Sequence, residues 1–415
     1  MKILAKMSQD KSERVRGKLK LSNIKLKTIL DISIAINKNA SSEHLFGLLK
    51  NVLVQDLGIG RFVFISFDKT WQIALQEGLN ENQISEINID SIINQYDDID
   101  VLHSSTETGT NKFEIVVPVF HNKKAFAYLL LGDLQGEKVE ISPIIKHLKF
   151  IQTLANIIVV ALENKRLYEE EIKQIAIKKE LEMAQTMQSL LFPRRLPNNK
   201  KIEVKAYYRP HSEVSGDYYD VVQIDANRTA LCVADVSGKG MSAALLMANF
   251  QAHLRAQLSI SSTIEELVNK TNKRIIESAN YEKFITLFLA IFDAKEQTLT
   301  FLNAGHQPAL LVSENKIVEL KKGCTVLGMF DELPKIESET IALPNHSKLI
   351  CYTDGLTELE DENGNQLEVE GVANLIDSYQ NLKEIKTRLE KRIKEAENKS
   401  AIDDDITFLV AEFLR

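Results

Sequence analysis

The stretch TALCVADVSGKGMSAALLM, residues 229–247, decides how the second half of this chain folds. Leu231, Cys232, Val233 and Ala234 form a short apolar run of the kind a fully buried strand shows, and the run stops on Asp235. A carboxylate therefore stands at a strand's end. Gly238 and Gly240 permit a tight turn with the backbone close to a ligand, and residues 242–247 read as helix. A phosphate-cradling P-loop is ruled out, because it needs glycine where Val233 stands and Ser or Thr where Gly240 stands. The plain alternative is an α/β connection in which Asp235 is a turn residue.

Composition bounds the rest. At 415 residues the chain exceeds one core, and ~150 residues per domain gives two to three domains. Hydrophobic residues at 44% and charged residues at 26% describe an ordinary globular protein. The net charge of −7 disfavours a nucleic-acid partner. A Lys- and Arg-rich N-terminal stretch is the local exception and reads as a basic arm or solvated helix face over residues 1–20. No uncharged apolar run reaches the ~18 residues that span a membrane, and the start lacks a signal-peptide core, so a cytoplasmic protein without membrane attachment is expected. The three cysteines, Cys232, Cys324 and Cys351, form no metal spacing or disulfide framework.

In the first part of the chain, helical periodicity over 24–36 is followed by a second helix over 42–57 with Ser41 or Ser42 as N-cap. Strand patterns fall at 62–67, 71–75, 113–120 and 125–131, the last two joined by a hairpin over 121–124. A long helix starts near 142. This order predicts an α+β unit, a sheet covered by helices, over residues 21–150. The stretches LGIGRFVFISFDKTWQIALQEGL (57–79), VVPVFHNKKAFAYLLLGDL (116–134) and LANIIVVALENKRLYEEE (154–171) resemble a GAF domain, with a PAS-like sensor as the next possibility. The resemblance implies a sensor that takes an unknown small ligand or protein. The absence of cysteine before Cys232 excludes thiol-linked chromophores, and His44, His103, His121 and His147 are scattered.

From residue 151 to 191 there is neither Pro nor Gly, and the character changes from apolar to strongly charged. A run of this length without caps predicts a coiled-coil linker helix over 151–195 and a homodimer through it, against a single solvated connector helix. Leu154, Ile158, Ala161, Tyr168, Ile172 and Ile175 keep a three-four spacing that Lys165 interrupts. Pro193 and Pro197 end the helix.

From residue 196 the pattern turns to β, with strands at 202–208, 218–224, 230–234, 286–292, 298–302, 309–312, 348–352 and 406–413. Helices fall at 242–258 and 263–279, with two more between 367 and 397. A layered α/β sandwich accommodates them. Asp217 precedes one of these strands, Asp235 and Asp354 follow others, and Asp403, Asp404 and Asp405 open the last. Each alone is an ordinary turn residue. Together, acids converging at strand ends repel unless a cation neutralises them, and all-oxygen ligation selects Mg²⁺ or Mn²⁺.

The motifs LEMAQTMQSLLFP (181–193), VSGDYYD (214–220), VADVSGKGMSAALLM (233–247), LNAGHQPALL (302–311), YTDGLTE (352–358) and DDDITFLV (403–410) resemble, in order, the metal-dependent protein phosphatases of type 2C. They are most similar to the bacterial branch of sporulation stage II E and stress-response sigma-regulator phosphatases. That resemblance implies an αββα sandwich over 196–415 and two metal ions, Mn²⁺ or Mg²⁺. Asp235 would bridge the metals, the Val236 carbonyl would bind one, and Asp217 would lie near it. Asp354 and Asp404 would hold the other, with Asp405 a rival to Asp404. It implies hydrolysis of phosphoserine or phosphothreonine on a protein, an anti-sigma-factor antagonist, by a metal-bridging hydroxide. It also implies a switch in the preceding helix, at Glu180, Gln185, Gln188 and Leu191. Two departures stand out: the family's eukaryotic branch has His where Ser237 stands, and its phosphate-gripping Arg is matched by Ser212. Lys239 is the candidate phosphate holder, and His306 reads as structural or as a proton carrier. The competing class is a ligand-sensing dimeric scaffold with a weakly active or inactive phosphatase-like domain.

Overall fold

The computed structural model describes residues 2–102, 110, 112–121, 124–132, 143–313, 316–360, 364–376, 381–399 and 402–414. His103 and the middle of the expected 121–124 hairpin lie outside the described residues. The chain divides into two compact units, Met1–Ile175 and Ala176–Arg415.

The first unit is built on an antiparallel sheet in the order Thr70–Glu77, Arg61–Asp68, Lys124–Gly132, Ile115–His121, Asp100–Val101. Strand Arg61–Asp68, second in that order, carries Phe62, Val63, Phe64 and Ile65, all buried, because both faces of the sheet are covered. Phe62 and Phe64 meet helices Lys2–Asn37, Ser42–Asn51 and Pro143–Ser189 through Ile32, Leu45, Leu49, Ile151 and Leu154. Val63 and Ile65 meet Ile87, Ile92 and Tyr96 from the short helical segment on the opposite face.

The Lys- and Arg-rich stretch over 1–20, expected as a basic arm or a solvated helix face, lies within the helix Lys2–Asn37, where Lys, Arg, Leu and Glu are good helix formers and no Pro interrupts them. One difference from the sequence expectation has a local cause. Helices Glu81–Ser85 and Ile89–Gln95 were too short to give a periodicity. Their signal lay in the caps, where Asn80 and Asn88 accept from the backbone N–H groups of Gln83 and Ser91.

Helix Pro143–Ser189 is long and apolar enough to cross a membrane by length and composition. Its apolar residues Ile151, Leu154, Ala155, Ile158 and Val159 fill the core of the first unit. Beyond them Leu167, Tyr168, Ile172 and Ile175 are exposed.

In the second unit two antiparallel-dominated sheets stack. One runs Gly323–Cys324, Thr298–Ala304, Ile285–Asp293, Arg228–Val236, Tyr218–Gln223, with Glu339–Ala342 also on Thr298–Ala304. The other runs Lys316–Leu320, Ala309–Ser313, Lys348–Tyr352, Ile406–Phe413, Ile202–Arg209. Strand alternation sorts the side chains into layers. Leu231 and Val233 join Leu349, Leu409, Ala411 and Phe413 between the sheets. Ala230, Cys232 and Ala234, on the other parity, lie under helices Met241–Ile260 and Ile264–Ala279. Ile406, Phe408 and Val410 lie under helix Leu382–Glu397. The result is helix, sheet, sheet, helix.

Phe288 is fully buried between the sheets and stacks on Phe301 at 6.0 Å between centroids. Phe288→Ala should cost about 3–5 kcal/mol, read as a lower urea midpoint by circular dichroism, whereas Lys295→Ala on the surface should shift it by less than about 0.5 kcal/mol.

Candidate active site

Sheet register brings the acids together. Tyr218 pairs with Ala234 and Asp235 with Thr286, so Asp217 and Asp235 sit on neighbouring strands at the same end of one sheet. Tyr352 pairs with Phe408 in an antiparallel ladder, so the residues leaving Lys348–Tyr352 meet those entering Ile406–Phe413. Asp354 and Asp404 come from those two ends.

Short-range bonds fix them. The Thr353 N–H donates to the Thr407 carbonyl at 3.0 Å and the Thr407 N–H to Thr353 Oγ1 at 3.0 Å. Thr353 Oγ1 in turn donates to Asp217 Oδ2 at 2.9 Å, across the two sheets. Gly355 allows the closest approach: a Cβ there would stand 2.0 Å from the Asp405 carbonyl oxygen. Asp405 is occupied, accepting from the His211 N–H at 2.7 Å and, on its other oxygen, from Ser215 Oγ at 2.7 Å and the Gly216 N–H at 3.3 Å. Ser215 Oγ also accepts from the Asp217 N–H at 3.0 Å. Asp405 is thus held by three donors, whereas Asp404 lies beside Lys239; both acids act on Asp235, and Asp405 acts on Asp217 as well.

The cluster carries a large electrostatic cost. Burial, followed by Asp354, Asp404 and Asp405, pushes the Asp235 carboxyl up to about 7. Asp217 is fully buried, and burial and then Asp235 hold it well above the usual carboxylate range. Asp354 is raised by burial and by Asp404. Lys239 is the cation among them: its Nζ donates to the Asp403 carbonyl at 2.6 Å and lies 3.2 Å from Asp404 Oδ1. Among the described residues no three His, Cys, Asp or Glu side chains are drawn close enough to hold a metal ion as they stand. The donors nevertheless fit one: they are carboxylate oxygens, repelling one another, which suits a hard divalent cation.

The turn after Asp235 is closed by Ser237, whose Oγ accepts from the Phe284 N–H at 2.9 Å while its own N–H donates to the Phe284 carbonyl at 2.9 Å. Lys283 Nζ donates to the Ser237 carbonyl at 2.8 Å. Gly238 and Gly240 have φ of 84° and 77°, which only glycine adopts freely, and helix Met241–Ile260 starts immediately after. His306 is buried, shares a 2.8 Å hydrogen bond between Nδ1 and Thr286 Oγ1, and burial lowers its imidazole to about 4. It is therefore neutral near pH 7 and has no imidazolium proton to give. Ser212 Oγ donates to the Val214 carbonyl at 3.4 Å.

The expected switch residues separate. Glu180 and Gln185 are exposed, whereas Gln188 is buried and makes two bonds to Ser215: Nε2 to the carbonyl at 2.8 Å, and the Ser215 N–H to Oε1 at 3.2 Å. Leu191 packs against the core under helix Met241–Ile260, and its carbonyl accepts from Gln251 Nε2 at 3.4 Å.

Sequence reasoning missed the partner of Asp220. This acid is buried on the same strand face as Tyr218, accepts from Tyr218 OH at 2.5 Å, and pairs with Arg255 Nε at 2.7 Å and Nη2 at 3.0 Å. The signal was present: counting by two from Tyr218 puts Asp220 under the helices, where a charge needs a partner.

Residues 225–414 match the family described as Stage II sporulation protein E (SpoIIE). Phosphoserine phosphatase RsbU of Bacillus subtilis is 28% identical over 193 residues, covering 46% of this chain and 57% of that protein. Phosphoserine phosphatase RsbP of Bacillus subtilis is 28% identical over 186 residues, covering 44% and 46%. Protein IcfG of Synechocystis sp. is 25% identical over 329 residues, covering 70% and 50%. The chain spans about half the length of these curated relatives. The solved SiaA-PP2C domain of Pseudomonas aeruginosa superposes with a TM-score of 0.50 at 19% identity, covering 58% of this chain and 98% of that one, a likeness of fold. Residues 225–414 of the second unit thus match the Stage II sporulation protein E family, and the likeness to the SiaA-PP2C domain is one of fold.

Proposed function

We propose that this chain is a divalent-metal-dependent protein phosphatase that hydrolyses phosphoserine or phosphothreonine on a protein substrate, an anti-sigma-factor antagonist, under control of its N-terminal unit. The observation that carries the reading is the convergence of Asp217, Asp235, Asp354 and Asp404 at one end of two sheets, with Asp235 raised to about 7 by burial and then by the neighbouring acids. RsbU and RsbP, which match the same half of the chain, are named phosphoserine phosphatases.

Asp235, Asp354 and Asp404, with the Val236 carbonyl, would hold Mn²⁺ or Mg²⁺, two ions in all. Bound there, such ions supply the polarisation of water and the neutralisation of phosphoryl charge that phosphomonoester hydrolysis needs. Asp217 contributes a buried carboxyl oriented by Thr353, and Asp405 acts as a brace for the 211–217 loop. Lys239 neutralises Asp404 in the absence of metal and is free to turn to phosphate once a metal takes its place. The Lys239–Asp404 pair also suits the scaffold reading, in which the lysine fills the cation position permanently.

Control rests on the bonds from Gln188 to Ser215, since Ser215 holds both Asp405 and the Asp217 N–H. The first unit is read as a GAF-like sensor, and the exposed Tyr168, Ile172 and Ile175 supply the seam of a homodimeric coiled coil.

Mn²⁺ should support phosphate release from phosphoserine proteins encoded beside this gene, with Asp235→Asn and Asp354→Asn each abolishing it. No release from any phosphoprotein returns the protein to the scaffold reading, and metal-independent release overturns the metal-dependent mechanism. Gln188→Ala should raise the Mn²⁺ concentration needed for half-maximal release while far-ultraviolet circular dichroism stays unchanged. An unaltered metal requirement would remove Gln188 from the control route.

The raised Asp235 carboxyl has a stability consequence. Unfolded, it ionises near its ordinary value of 3.8; folded, near 7. Stability from the protonated form is therefore complete below about pH 4 and is lost as pH rises towards 7. In chelator, Asp235→Asn should raise the melting temperature at pH 7.5 relative to wild type and leave it closer to wild type at pH 4. A lower melting temperature at pH 7.5 would contradict the electrostatic account.

A further inference from the structure

A cleft of about 330 Å³ lies within the first unit, between helix Ser42–Asn51, the turn end of strands Arg61–Asp68 and Thr70–Glu77, and helix Pro143–Ser189. This volume falls at the small end of the ~300–1,000 Å³ typical of ligand pockets. Its floor is apolar, formed by Phe46, Ala74, Phe126 and Leu162. Phe46 is held by an edge contact with Phe64 at 5.6 Å, so the floor is preformed.

The charges around the cleft are unevenly spent. Arg166 is committed mainly to two other acids, donating to Glu163 from Nε at 2.9 Å and Nη2 at 2.7 Å and to Glu170 from Nη1 at 2.7 Å, with Asp68 near enough to add to the field that holds it charged. Lys165 Nζ is engaged with the Ala40 carbonyl at 3.2 Å. Asp68 and Glu169 line the same cleft and form no ion pair or hydrogen bond among the described residues. The charge left over is negative. Phe67, beside Asp68, is part-exposed and already holds the Lys124 ammonium 5.6 Å from its ring centroid, with Trp71 against it at 5.4 Å. Aromatic rings and carboxylates together select positive charge carried on an apolar body.

We propose that this cleft binds a small organic cation, an ammonium group on an apolar ring or chain, with the ammonium at Asp68 and Glu169 and the apolar body against Phe46, Phe126 and Leu162. An organic anion would meet the Asp68 and Glu169 carboxylates, with Arg166, Lys165 and Lys124 already engaged by Glu163 and Glu170, the Ala40 carbonyl and the Phe67 ring. Bound there, the cation bridges the strand turn and the helix that continues to Ser189. That signalling consequence rests on the sensor reading above; the binding does not.

Isothermal titration calorimetry on the full chain tests it, with phenethylammonium as probe and phenylacetate and phenethyl alcohol as anionic and neutral counterparts. Saturable binding of phenethylammonium only, weakened about tenfold or more by Asp68→Asn with Glu169→Gln and abolished by Leu162→Trp, supports the site. No saturable binding of phenethylammonium, equal binding of phenylacetate, or undiminished affinity in the double variant overturns it. Both carboxylate substitutions are at exposed side chains, so an unchanged melting temperature certifies the fold. Phosphate release measured alongside separates the two readings: binding without a change in turnover keeps the site and removes its link to activity, and binding in a chain with no phosphatase activity leaves the site intact.

Discussion

Carboxylates that converge on one small volume repel, and the second unit is organised around tolerating that repulsion. Asp217 is buried completely, and Asp235 stands beside Asp354 and Asp404 with one lysine among them. Backbone and hydroxyl donors hold the arrangement: Thr353 ties both the Thr407 backbone and Asp217, and the glycine after Asp354 lets its loop press on the Asp405 carbonyl. The surrounding sandwich is what makes those donors rigid. Two apolar layers flank each sheet, so its strand ends are positioned by the packing of Phe288, Phe408, Leu409 and their neighbours. An oxygen-rich, poorly neutralised centre on a stiff frame is arranged for a ligand that brings positive charge.

Much of this was legible in the sequence because the strands are long, apolar and end on acids. The run 406–413 appears as a strand with those bounds, and 230–234 and 286–292 appear as strands longer at each end by two residues and by one residue respectively. Alternation then assigns alternate residues to the inter-sheet core or to the helices. The acids could be named from their places at strand ends, but their mutual geometry could not, since it comes from the pairing of Tyr352 with Phe408 and of Tyr218 with Ala234. Pairing between distant strands leaves no local mark. The same holds for His211, Ser215 and Thr353, which look like ordinary loop residues until the fold sets them against Asp405 and Asp217. Short strands such as Lys316–Leu320 and Glu339–Ala342, exposed along much of their length, carried no core pattern to read.

The helix after the glycine turn is anchored from two directions. Its inner face packs through Met247, Phe250 and Leu254, and Arg255 closes a bidentate pair with the buried Asp220 two residues beyond Tyr218. The strand that begins just after Asp217 and the helix that begins just after Gly240 are therefore one mechanical piece. Ser237 fastens the intervening turn to Phe284, so displacement of either element reaches both sides of the acid cluster.

Gln188 gives the long helix a particular kind of hold on this piece. Its two bonds to Ser215 come from opposite corners of one planar amide, so they share a single set of torsions. The final turn before Ser189 thus grips one backbone residue at both its N–H and its carbonyl, and that residue's hydroxyl in turn meets Asp405 and the Asp217 N–H.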